Sequence, residues 1–105
     1  MKKKIKMKKK LIRDYDNQEG SINLSTDEFF TCICEQIADN SSVLKDSTET
    51  GKTLEILSDT MELIYSVLQI KNIKPDVLFD TINELKRTKG TFSSKKAVQQ
   101  ESENE

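Results

Sequence analysis

Two lines of acidic side chains carry the chemistry that this sequence offers. Glu55, Asp59, Glu62, Ser66 and Gln69 are spaced by 4, 3, 4 and 3 residues, a register that lays all five along one narrow strip of a helix. Upstream, Glu28, Glu35 and Asp39 are spaced by seven and four, with Gln36 alongside, which again stacks acids on one helical face. A face that only keeps a helix in water usually interleaves a lysine four residues after a glutamate, and neither line contains Lys or Arg. Uncompensated acids repel, so something must offset them. Two such strips facing each other across a hairpin would supply about four to six hard oxygen ligands, the donor set that Mg2+ selects. Mg2+ in turn implies a phosphate substrate, because it would bridge phosphoryl oxygens and activate a water for attack on phosphorus. The plainer reading of the same lines is a pair of solvated outer faces.

Phosphates also need cations. They occur at Lys10 and Arg13 and in the run Lys86-Arg87-Thr88-Lys89-Gly90, where basic residues closing a helix would equally complement its dipole. The formal net charge of -1 conceals an asymmetry: residues 1–13 hold seven lysines, Arg13 and no acid, whereas residues 14–105 hold 9 basic and 18 acidic side chains. The body is acidic and carries a basic arm. Such an arm is either a frayed, solvated tail or an attractor of nucleotide or nucleic-acid phosphates, and it lacks interleaved aromatic residues for base stacking. Met7 is a second candidate start, which would make residues 1–6 an upstream extension.

The absence of histidine removes Ser-His-Asp and Cys-His nucleophile systems and His-ligated metals. Cys32 and Cys34 are two apart in a segment read as helical, where such side chains point to different faces, so an intrahelical disulfide is not expected and a reducing, cytoplasmic home is. Apolar runs of a few residues fall far short of the roughly 20 needed to cross a bilayer, and none follows the N-terminal lysines as a signal peptide requires. Neither secretion nor a membrane partner is expected.

The elements that must position the acids follow from composition and periodicity. With 105 residues there is room for one small core, and with three Gly and one Pro the chain lacks the turn punctuation of a barrel or sandwich. An all-α chain is predicted. At 34% hydrophobic residues the core is lean enough that oligomerisation is expected. Residues 14–25 read as a loop, and Ser25-Thr26-Asp27-Glu28 matches a capping box that opens a first helix. That helix runs to about Leu44, with Phe29, Phe30, Ile33, Ile37 and Leu44 inward. Lys45–Gly51 breaks it. In the second helix Leu54, Leu57, Met61, Ile64 and Leu68 repeat at 3, 4, 3 and 4, and Ile56, Leu63, Val67 and Ile70 form a second apolar stripe. Two apolar flanks need more than one neighbour, and a second subunit would supply the shortfall. Asn72 and Ile73 end this helix, and a third runs from about Pro75 to Thr88, stops at Gly90 and turns Leu78, Ile82 and Leu85 inward. The polar tail over residues 93–105 is expected to stay disordered. The architecture predicted is a long helical hairpin plus a third helix, pairing with a copy into a four-helix-bundle homodimer or higher homo-oligomer.

Taken in order, several segments resemble the MazG-like all-α nucleoside triphosphate pyrophosphohydrolases, particularly the small members related to phosphoribosyl-ATP pyrophosphohydrolase. Lys10-Leu11-Ile12-Arg13-Asp14 resembles their K-L-V-R-D, and Leu57 through Tyr65 resembles their L-A-D-V-x-E-x-I-Y helix. Ile73 through Leu85 is similar to the helix that follows. Lys86 through Phe92 is similar to the closing K-x-x-x-x-G-G-F, with one residue fewer between the lysine and Gly90 and with Thr91 in place of the second Gly. The likeness spans about residues 8–92, so the expected organisation is a basic arm at 1–13, a MazG-like domain at 14–92 and the tail. The family's metal signature is E-E-x-x-E on the first long helix and E-x-x-D on the second. Here these become Glu35-Gln36-Ile37-Ala38-Asp39 and Ile56-Leu57-Ser58-Asp59, so one acid is an amide, one is shortened and one is apolar. Glu55, one residue from position 56, lies about 100° around the helix and cannot simply replace it. Glu62 is the better-placed helper.

The resemblance implies Glu35 and Asp59 as catalytic acids, Glu35, Asp39, Asp59 and Glu62 as ligands for Mg2+ or Mn2+, and Arg13, Lys86 and Lys89 as phosphate contacts. The reaction implied is cleavage of a nucleoside triphosphate to a monophosphate and pyrophosphate. Two other readings stand beside it: a catalytically inactive MazG-like dimer acting as an interaction or regulatory module, and a nucleic-acid-binding module using the lysine arm.

Overall fold

The computed structural model describes residues 8–16 and 18–101. Residues 1–7, with most of the lysine arm and both candidate starts, and residues 102–105 of the tail lie outside them. Among the described residues the protein is all-α, with three helices, α1 (Thr26–Lys45), α2 (Thr50–Ile70) and α3 (Pro75–Lys89), and no strand. They divide between two units, Met1–Ile73 and Lys74–Glu105. No described helix is long and apolar enough to cross a membrane.

Within the first unit α1 begins at the expected capping box: the Glu28 N–H donates to Ser25 Oγ at 3.2 Å and the Ser25 N–H donates to Glu28 Oε1 at 3.0 Å. The hairpin loop is shorter than the sequence suggests. Thr50 and Gly51 are already helical, because Thr53 Oγ1 donates to the Glu49 carbonyl at 2.9 Å and lies 2.8 Å from Ser47 Oγ, tying the first turn of α2 to the loop. At the far end Asn72 takes a left-handed conformation (φ 56°). Its N–H donates to the Gln69 carbonyl and that of Ile73 to the Leu68 carbonyl, a Schellman closure that ends α2 with Asn in the usual glycine position.

α1 and α2 pack as an antiparallel hairpin, with Lys71 at the end of α2 lying 4.6 Å from the Phe30 ring centroid near the start of α1. The core is small. Cys32, Ile33, Ile56 and Leu68 are buried, Ile33 alone completely. Phe29, Phe30, Ile37 and Leu44 are half-buried around them, which is the inward row expected for the first helix. On α2 the two apolar stripes are covered unevenly: Ile56 is buried and Leu63, Val67 and Ile70 are half-buried, whereas in the other stripe Leu68 is buried and Ile64 half-buried but Leu54, Leu57 and Met61 are exposed, Leu54 by 58%. A 3,4 repeat identifies an apolar face but not its partner.

In the second unit α3 starts with Pro75 at its first turn and stops at Gly90, whose φ of 80° suits glycine. Leu78 is half-buried, while Ile82 and Leu85, also expected inward, are exposed. Residues 95–101 form neither helix nor strand.

Candidate functional site

The acid strip of α2 is legible in the fold as it was in the spacing: Glu55, Asp59, Glu62 and Ser66 all line one cleft of about 640 Å³ between the arm and the α1–α2 hairpin. Lys10, Arg13 and Lys52 supply cations around it, and Ile12, Phe29 and Leu63 supply apolar wall. Glu35 and Asp39 open instead on a neighbouring cleft of about 320 Å³, together with Lys8, Lys9 and Lys10. Gln36 borders both.

Arg13 determines the electrostatics of the larger cleft. Its Nη1 donates to Glu62 Oε2 at 2.9 Å, and its Nη2 donates to Glu62 Oε1 at 3.1 Å and to Asp59 Oδ1 at 3.0 Å. The fork of the guanidinium suits this bidentate grip, which a lysine could not reproduce. Hydrogen bonds from Arg13 and its charge hold the Glu62 carboxyl below its ordinary range, and Glu62 raises Arg13 in return.

The remaining oxygen of Asp59 is taken from the protein interior. Asn40, only 9% exposed, donates from Nδ2 to Asp59 Oδ2 and to Thr60 Oγ1, each at 3.0 Å, and its Oδ1 accepts from Gln36 Nε2 at 2.9 Å. Thr60 Oγ1 in turn donates a hydrogen bond to the Ile56 carbonyl at 2.8 Å. No buried side-chain polar atom among the described residues lacks a partner, so the network is closed.

The acids of α1 are likewise met by the arm. Lys8 Nζ lies 2.5 Å from Asp39 Oδ2, and Lys9 Nζ lies 3.0 Å from Glu28 Oε2. The Ser25 N–H and then Lys9 bring the Glu28 carboxyl down to about 2, and hydrogen bonds to Asp39 and Glu28 raise Lys8 and Lys9. Each pair is solvent-exposed, where screening keeps individual ion pairs weak.

Of the residues singled out by sequence, the structure joins Arg13, Asp59 and Glu62 in one contact set and places Glu35 and Asp39 on the adjacent cleft. Lys86 and Lys89 belong to the last turn of α3 in the second unit. Among the described residues no three His, Cys, Asp or Glu side chains converge to hold a metal ion. The two positions where the sequence departs from the family's acids, Gln36 and Ile56, both line the larger cleft.

Sequence reasoning missed Asn40 and Thr60, and it assigned Arg13 to an outside phosphate. A signal for Asn40 was present: it lies seven residues after Ile33 and four before Leu44, so a polar side chain occupies the inward row. Nothing local in the sequence links Arg13 to Glu62, 49 residues away. No family model, no curated protein and no solved structure matches the chain.

Proposed function

We propose that this chain is a MazG-like helical protein that works as a catalytically inactive interaction or regulatory module, pairing with a copy of itself through the exposed stripe of α2. One observation carries this reading. All four carboxylate oxygens of Asp59 and Glu62 are engaged by the chain's own donors, three contacts from Arg13 and one from Asn40. A pyrophosphohydrolase needs those oxygens for a cation that polarises phosphate, and loss of such ligands removes most of the rate. The exposed Leu54, Leu57 and Met61 supply the apolar surface for pairing, at a spacing suited to a four-helix bundle.

Two measurements test it. Pyrophosphate release from a panel of canonical and modified nucleoside triphosphates, with Mg2+ or Mn2+, should stay at background. Sedimentation of the full chain should show a dimer. Metal-dependent turnover lost in Asp59→Ala and Glu35→Ala would overturn the reading.

A second reading, nucleotide binding with hydrolysis to a monophosphate and pyrophosphate, draws on the presence of Lys10, Arg13 and Lys52 beside the acid strip in one cleft. Against it stands the cleft's charge. Asp14, Asp16, Glu55, Asp59 and Glu62 outnumber those three cations, so a polyanion would enter against net repulsion. A nucleotide-dependent rise in thermal midpoint that Arg13→Ala abolishes would favour this second reading.

A further inference from the structure

The arm is remote in sequence from the acids it meets on the hairpin, yet their charges pair. Lys8 and Lys9 reach Asp39 and Glu28 on α1, while Arg13 reaches Asp59 and Glu62 on α2. Residues 8–13 thus cross the hairpin and neutralise acids on both helices. The geometry of Arg13 is the most telling. It contacts both carboxylates at 2.9 to 3.1 Å, and Asn40 holds Asp59 from the opposite side, fixing where that carboxylate points.

We propose that Arg13 is the resident cation of the α2 acid strip: its guanidinium sits between Asp59 and Glu62 as a tethered counter-ion, and residues 8–13 form a clasp that excludes divalent cations from these acids. This rests on the module reading and deepens it, since it assigns what offsets the acid strip in place of a metal ion. A divalent ion must displace a charge that the chain itself delivers at high effective concentration. It would also have to strip the guanidinium of its bidentate hydrogen bonds.

The test uses the metal alone on the full chain. Mn2+ binding is followed by the loss of its free-ion paramagnetic resonance signal, with the thermal midpoint read in parallel against Mg2+. The parent should show no saturable site in the millimolar range. Arg13→Gln should bind Mn2+ at least about tenfold more tightly than the parent, as expected when a full charge beside two carboxylates is removed. Adding Asp59→Asn to Arg13→Gln should abolish the gain. Arg13→Lys, which keeps the charge without the fork, should fall between parent and Arg13→Gln, and it provides the comparison if Arg13→Gln does not fold. Equal Mn2+ affinity in the parent and either Arg13 variant overturns the clasp. Because this readout involves no nucleotide, its failure is distinct from turnover in the pyrophosphate assay, which would sink the module reading instead.

Discussion

The two flanks of α2 meet opposite fates. On one, Asp59 and Glu62 have every carboxylate oxygen hydrogen-bonded within the chain. On the other, Leu54, Leu57 and Met61 are exposed. The polar flank is answered by a segment of the same unit, the apolar flank by nothing among the described residues of that unit. Charge at long sequence separation can be matched by a short arm, because one guanidinium satisfies two carboxylates. Covering an apolar stripe takes a surface of comparable length, and a hairpin whose core buries four apolar side chains has no third helix within its own unit to offer.

The comparison breaks most sharply if the apolar flank is charged. Leu57→Asp combined with Met61→Asp should weaken self-association by at least about a hundredfold, given the burial free energy of two large side chains, and sedimentation should then show monomer. A variant as dimeric as the parent would mean the stripe is not the contact. Next in size is the buried support of the polar flank. Asn40→Leu should cost about 1 to 3 kcal/mol in chemical denaturation, because it removes the donor to Asp59 and the acceptor for Gln36 inside the hairpin. A neutral result would show that these hydrogen bonds are replaced by water.

Smallest is the acid dependence of the acids that the arm and the α1 cap hold. The Glu28 carboxyl is depressed to about 2, so the stability it contributes is full above its unfolded value near 4.5 and is lost as pH falls from there through about 2. Glu62 moves in the same direction. The thermal midpoint should decline across that window and less steeply in Glu28→Gln. Identical slopes would remove Glu28 from the account.

Much of this was readable before any coordinates, for local reasons. Ser25 to Glu28 fixes the start of α1 through bonds spanning three residues, Pro75 and Gly90 bracket α3 by backbone chemistry, and the acid strip of α2 is a matter of helical angle. What was not legible depended on partners. Leu57 and Ile56 lie on two apolar stripes of similar strength, and only the packing of α1 decides that Ile56 is buried and Leu57 is not. Arg13 looked like a phosphate ligand because an isolated arginine beside acids 46 and 49 residues away carries no periodic signature.

The hairpin loop of residues 46–49 brings α1 and α2 together at low entropic cost, so their core can form early and quickly. The contact from Arg13 to Glu62 must instead close a circuit of 49 residues, and it rests on exposed charges. It should therefore join after the hairpin and let go before it. Native-state hydrogen exchange should find the amides around Arg13 opening long before those of Ile33, so that the clasp can come off while the hairpin beneath it stays folded.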